Sequence, residues 1–303
     1  MFNKFIASIL PYFPKKFIWI FSRAYISGVT MADAMRVSRE LNALGIKVTL
    51  DVLGEFITSL DEAEANKQEY LDLIDETHKN GIDGNYSLKP TSFGLLLDKE
   101  ECYRIMREIV AKAASYNNFC RIDMEDSPCT DLEIELYRRL HAEFPRNVGL
   151  VVQAYLKRTC SDLEKMLDMN TPEIPTNYRL CKGIYIEPAE IAYKKYEEIN
   201  KHYLEDLEFM FRNKIFVGIA THDKPLIEGA YELIKKYNVP KNMYEFQMLY
   251  GVTPKLRQSI VDAGHDMRVY VPFGEKWFSY STRRLKENPK MASHIMKAIF
   301  VKG

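Results

Sequence analysis

The sequence predicts an α/β chain folded as a (β/α)8 TIM-like barrel with additional N-terminal helices. Two observations carry that expectation: eight short runs rich in Val, Ile and Tyr recur along the chain, and long amphipathic segments separate them. Strand-then-helix alternation repeated over roughly 250 residues is the pattern of a parallel sheet closed under an outer layer of helices.

The runs are Lys47–Leu53, Gly84–Lys89, Phe119–Met124, Val148–Tyr155, Tyr178–Tyr185, Phe216–Thr221, Tyr244–Leu249 and Met267–Val271. Helical spacing of apolar residues predicts helices over Glu62–Lys79, Lys99–Tyr116, Leu132–Phe144, Pro188–Asn213, Pro225–Tyr237 and Pro254–Ala263. Asp61, Asp98, Asp131, Ser161, Asp223 and Thr253 are suited to cap helix N-termini. The pattern after the fifth run is about twice the usual helix length and reads as two helices or as an excursion. The expected division is an N-terminal helical segment, residues 1–44, and a catalytic barrel, residues 45–303.

Residues 1–28 are apolar and aromatic, but Pro11, Pro14, Lys15 and Lys16 interrupt them before the ~20 residues a membrane span needs. Two readings stay open: a helix packed on the rest of the protein, or an interfacial helix in peripheral contact with a membrane. Lys plus Arg and Asp plus Glu are each 42, so no basic field favours nucleic acid. Five cysteines without C-x-x-C spacing argue for a reducing, cytoplasmic setting and against a disulfide framework or structural zinc. The six histidines show no metal-ligand spacing, so no metal is expected. Walker A and G-x-G-x-x-G loops are also absent from the sequence.

In a barrel of this kind the reactive face lies at the C-terminal strand ends. Polar residues there are Glu55, Lys89, Asp123, Glu125, Gln153, Lys182, Thr221, His222, Asp223, Gln247, Tyr250 and Tyr270. Single residues of this type usually cap or hydrogen-bond a loop, as expected for Glu55, Gln247 and Asp223. Arg179 and Lys182 are more informative, because they interrupt an apolar run where a cation requires an anion or an electron-rich ligand. Asp123 is the available counter-charge, and Gly183 admits close approach of a flat ligand to the backbone. Beyond the eighth run, Trp277, Tyr280, Arg284 and Glu287 recur about one turn apart. Adjacent Arg283 and Arg284 match a small carboxylate, and the rings match a compact apolar body, although such a pair alone more often marks a solvated face.

Lys89 in Ser-Leu-Lys, Arg-Ile-Asp-Met-Glu-Asp at 121–126, Gln-Ala-Tyr-Leu at 153–156 and Arg-Leu-Cys-Lys-Gly at 179–183 resemble motifs of the proline dehydrogenase family. So do Ala-Thr-His at 220–222, Glu-Phe-Gln-Met-Leu-Tyr-Gly at 245–251, and the stretch from Tyr270 to Asn288. The resemblance covers about residues 45–290. It implies an FAD-dependent barrel that oxidises L-proline to Δ1-pyrroline-5-carboxylate and passes electrons to a membrane quinone. It assigns Lys89, Arg283 and Arg284 to the proline carboxylate, with Tyr270 and Tyr280 packing on the ring. Asp123 and Arg179 become the central catalytic pair, with Arg179 beside the flavin N5. Met124, Gln153, Arg179, Lys182, Gly183, Ile184, Thr221 and His222 match flavin-contacting positions, and Glu287 matches a partner of the helix arginines. Cys181, Ile184, Ile186 and Asp223 depart from the residues common in the family, without removing a charged catalytic position. The chain is expected to be the stand-alone form, handing its product to a separate enzyme. Alternatives are hydroxyproline oxidation, a Schiff-base lyase using Lys182 or Lys89, and a catalytically silent barrel.

Overall fold

A computed structural model of the chain describes residues 15–287, with side chains except at positions 16, 17, 20, 21 and 283–287. Eight parallel strands close in sequence order: β1 (Lys47–Val52), β2 (Gly84–Leu88), β3 (Cys120–Ile122), β4 (Val148–Gln153), β5 (Asn177–Cys181), β6 (Phe216–Ala220), β7 (Tyr244–Leu249) and β8 (Met267–Phe273). Helices α1 (Lys15–Ser22) and α2 (Met31–Asn42) precede β1. The remainder are α3 (Leu60–Lys79), α4 (Lys99–Ser115), α5 (Thr130–Glu143), α6 (Thr159–Lys165), α7 (Tyr196–Arg212), α8 (Lys224–Lys236), α9 (Pro254–Asp262) and α10 (Trp277–Glu287). None of the described helices is long and apolar enough to cross a membrane.

The inter-strand register sorts side chains into two rows, as the two-residue period of a strand demands. Leu50, Tyr86, Cys120 and their neighbours form one row, followed round the barrel by Leu180, Ile219 and Phe246, all buried. The other row is polar: Thr49 pairs with Asn85, Ser87 with Arg121, Arg179 with Gly218, and Gln247 with Arg268. A barrel interior is ordinarily filled by Val, Ile and Leu. Here a buried Arg121 donates to the Asn177 carbonyl at 2.7 Å and to Asn177 Oδ1 at 2.5 Å. Gly149 makes room for it, since a Cβ there would lie 2.6 Å from Arg121 Nη1.

The outer ring departs from simple repetition. Helix α2 packs against β8 and β1, filling the place where a helix after β8 would sit, while α10 packs against α1 instead. Thr30 and Asp33 start α2 with a reciprocal capping box that satisfies two N-terminal donors. Ser22 Oγ donates to Ser281 Oγ at 2.7 Å, and Trp19 meets Trp277 edge-on with ring centroids 4.7 Å apart. The described part of the N-terminal segment therefore packs on the barrel.

Several expected helix starts move. Asp98 caps α4, but Ser59 caps α3 two residues ahead of Asp61, whereas Asp131 and Ser161 lie inside α5 and α6. Asp223 and Thr253 occupy cap positions without a side-chain cap bond. The helix expected from Pro188 begins only at Tyr196. Residues 191–193 instead pair their backbone with the chain after β4: Lys157 N–H donates to the Ile191 carbonyl at 2.9 Å, and Tyr193 N–H to that of Tyr155 at 2.8 Å. The long pattern after the fifth strand is thus an excursion followed by one helix.

Asp206 on α7 is 4% exposed, and its Oδ2 has no partner among the described residues. Burial pushes its carboxyl up to about 7. A carboxyl whose folded pKa is raised adds stability below its unfolded pKa of ~3.9 and loses it as pH rises through the folded value. Asp206→Asn should therefore gain thermal stability relative to the native chain between pH ~4 and ~7, by a few degrees, then hold that advantage. Melting curves of both proteins across that range check this; parallel curves would contradict it.

Candidate active site

At the C-terminal ends of the strands the polar row opens into a cavity of about 620 Å³. Asp123, just past β3, is its hub. Oδ1 accepts from Ser87 Oγ at 2.6 Å and Arg179 Nη1 at 3.0 Å, while Oδ2 accepts from the Tyr270 hydroxyl at 2.9 Å and lies 3.3 Å from Lys89 Nζ. Lys89 Nζ also donates to Asp51 Oδ1 at 2.5 Å and to the Tyr270 hydroxyl at 2.9 Å. Lys89 Nζ thus has three polar partners within 3.3 Å.

Electrostatics keep this cluster charged. Burial pushes the Asp51 carboxyl up to about 6, with Lys89 opposing it across an ion-pair contact of 2.5 Å. Burial also works against Lys89, but the carboxylates of Asp51 and Asp123 and the Tyr270 phenol outweigh it and hold the ammonium well above its ordinary range. For Asp123 the burial penalty is overcome by Lys89 and Arg179, which keep its carboxyl below the usual value. Burial and the two aspartates raise the Tyr270 phenol, so it stays neutral and donates. A lysine held protonated this way is no imine-forming nucleophile, which removes Lys89 from the lyase reading. Lys182 is likewise paired, to Asp223 Oδ2 at 2.5 Å.

Arg179 spends its fork on protein at two points, Nη1 on Asp123 and Nε on Gln247 Oε1 at 2.6 Å. Its Nη2 is buried and has no hydrogen-bond partner among the described residues. An unsatisfied guanidinium nitrogen beside a cavity is costly unless a ligand accepts from it.

Lys89, Asp123, Met124, Gln153, Arg179, Lys182, Gly183, Ile184, Thr221, His222, Tyr270 and Tyr280 all line this one cavity. Glu55, Asp223 and Gln247 line it too. His222 Nε2 accepts the Leu249 N–H at 2.9 Å, which assigns its ring proton to Nδ1. Gln153 Nε2 donates to the Glu125 carbonyl at 2.8 Å. Arg283, Arg284 and Glu287 belong to α10 by their backbone, but their side chains lie outside the described residues.

Gly183 needs a different reading from close ligand approach. Its φ is +103°, and a Cβ would fall 2.1 Å from Tyr155 Cδ1, so the ring of Tyr155 already occupies that space. Gly183→Ala should destabilise the fold by about 1–3 kcal/mol through backbone strain alone, with the steric clash adding to it. An unchanged melting temperature would contradict this.

Asp51, Ser87 and Tyr196 were not legible as site residues. Asp51 does alternate with Lys47 and Thr49 in an apolar run, a signal that marks the polar row. Tyr196, whose ring lies under Lys182 Nζ at 4.4 Å, starts α7 beyond an irregular loop and carries no such signal.

Known proteins bear on this site. The family model for proline dehydrogenase matches residues 34–297. The chain is 34% identical over 281 residues to "Proline dehydrogenase 1" of Bacillus subtilis subsp. natto, covering 93% of this chain and 91% of that protein. It is 31% identical over 286 residues to "Proline dehydrogenase" of Deinococcus radiodurans, again covering 93% and 91%. Among solved structures it resembles proline utilization A from Bdellovibrio bacteriovorus inactivated by N-propargylglycine, with a TM-score of 0.82 and 25% identity over 89% of this chain. It spans 33% of that longer protein.

Proposed function

The chain belongs to the proline dehydrogenase family, and on that premise we propose that it oxidises L-proline to Δ1-pyrroline-5-carboxylate, with FAD as resident acceptor and a quinone as the next one. The observation that carries the proposal is the convergence of Asp123, Arg179, Lys89 and Tyr270 on one cavity with an unsatisfied Arg179 Nη2.

The residues present fit a flavin: the cavity is large and mostly apolar-walled, and Arg179 offers a buried donor to a ring heteroatom. Met124, Gln153, Arg179, Lys182, Gly183, Ile184, Thr221 and His222 are the residues proposed to hold it. Bound there, the flavin supplies the two-electron acceptor for the C–H bond beside the proline nitrogen.

The chain's own groups supply charge and position. Arg179 and Lys182 favour negative charge gathering on their side of the cavity, and Asp123 fixes Arg179 there. Lys89 contributes positive charge toward the proline carboxylate, together with Arg283 and Arg284 as the direct ligands. Because Lys89 is already engaged by Asp51 and Tyr270, its part is mainly electrostatic and as an anchor for the Tyr270 wall. Tyr270 and Tyr280 present rings to the substrate, whose amine must be neutral for its lone pair to assist the departing hydride. Residues 45–303 form the catalytic barrel in this reading, with peripheral contact between the chain and the membrane that holds the quinone.

The test is turnover. Purified protein with FAD, proline and a soluble quinone should yield a cyclic imine that an aromatic amino-aldehyde traps. No adduct with active cofactor present would end this reading.

A further inference from the structure

Along the cavity floor, a chain of hydrogen-bonded groups runs from β8 to Arg179. Arg268 Nε donates to Glu245 Oε1 at 2.6 Å and its Nη2 to Oε2 at 3.1 Å. Gln247 Nε2 donates to the same Glu245 Oε1 at 2.8 Å, and Gln247 Oε1 accepts from Arg179 Nε at 2.6 Å. Glu245 and Gln247 are 4% and 5% exposed, so water does not substitute for these bonds.

The order of these contacts fixes an orientation. Burial opposes ionisation of Glu245, but Arg268 overcomes it and keeps the carboxyl below its usual range. A carboxylate accepts only, so the amide end of Gln247 facing it must be the NH2 group. The carbonyl end is thereby turned to Arg179, which donates only. Gly218 on β6 provides the room, since a Cβ there would lie 2.3 Å from Gln247 Nε2. With Nε held by Gln247 and Nη1 by Asp123, the guanidinium plane is pinned at two corners and Nη2 is the corner left for a ligand.

We propose that Glu245 and Gln247 are positioning residues for the reaction: the Glu245 carboxylate sets the direction of the Gln247 amide, which orients Arg179 so that Nη2 faces the bound acceptor. This rests on the flavin-dependent reading above. Gln247 also lines the cavity, and the role proposed for both residues is exerted through Arg179.

The test compares Gln247→Met, which keeps length but removes the acceptor, with the charge-conserving swap E245Q/Q247E, which returns a carboxylate acceptor to Arg179 Nε. Two readouts are needed. The first is the side-chain Nε–H resonance of Arg179 in the full-length protein, identified by its loss in Arg179→Lys. The second is kcat and KM for proline, with the flavin midpoint potential. In Gln247→Met the hydrogen-bonded Nε–H signal should vanish, and kcat should fall roughly ten- to a hundredfold with KM little changed. The potential should also fall. The swap should recover the signal and most of both losses. A folded Gln247→Met protein with native signal, or with native kcat and potential, would overturn the proposal even if its melting temperature dropped; so would failure of the swap to recover them. Should Gln247→Met fail to fold, Glu245→Gln takes its place, with a weakened signal and kcat expected. If the native protein neither binds flavin nor oxidises proline, the functional reading fails, and the Nε–H arm still decides whether the pair orients Arg179.

Discussion

Asp123→Ala is expected to abolish proline oxidation and to lower the melting temperature by about 5–8 °C. The substitution removes the acceptor of Ser87, Arg179 and Tyr270 and strips Lys89 of one of its two carboxylates. Breaking a buried ion pair from one side costs about 3–5 kcal/mol, because the surviving charge stays buried. Unfolding entropy of roughly 2.1 cal/mol/K per residue over 303 residues converts that cost into the stated shift. The Asp123 carboxyl is held below its usual range, so its contribution is present at neutral pH and fades on acidification below ~4. The melting temperatures of native and variant proteins should therefore converge toward low pH, as calorimetry would read directly. A stable, active Asp123→Ala protein would remove the hub from the account.

Arg179→Lys should leave the charge but lower kcat on proline by about 10²–10³-fold, the usual loss when one preorganised donor to developing charge is removed. The guanidinium meets Asp123 and Ser87 through Nη1 and Gln247 through Nε, and still has Nη2 to offer. An ammonium reaches those partners through one atom, so it cannot hold the same fork and present a further donor. Stopped-flow reduction of the bound flavin separates this loss from any change in KM. A variant reducing at the native rate would show that charge alone suffices.

The strands were legible because each buried run is short, apolar and set off by amphipathic helix. The observed β7 keeps the expected bounds, and β1, β2, β4, β6 and β8 differ from expectation only at their C-terminal ends. Which strand residues turn inward was harder, since that depends on register. Gln247 read as a loop or cap bond, yet it sits inside the barrel against Arg179. Asp51 was missed because Lys89, its partner, lies 38 residues away just past the neighbouring strand and a lone aspartate in a run carries no pairing signal. Asp123 and Arg179 were found because two cations in an apolar strand demand a counter-charge, and the ion pair at 3.0 Å meets that demand. The helix order was legible but not its wrapping. Nothing in the spacing of Met31–Asn42 says that it, and not the helix after β8, closes the ring between β8 and β1.

The most direct measurement is the visible spectrum of the purified protein under anaerobic conditions, before and after L-proline. The account predicts a yellow protein whose flavin band bleaches in proportion to the proline added. A protein that stays colourless after incubation with FAD, or a yellow one that proline does not bleach, would contradict it.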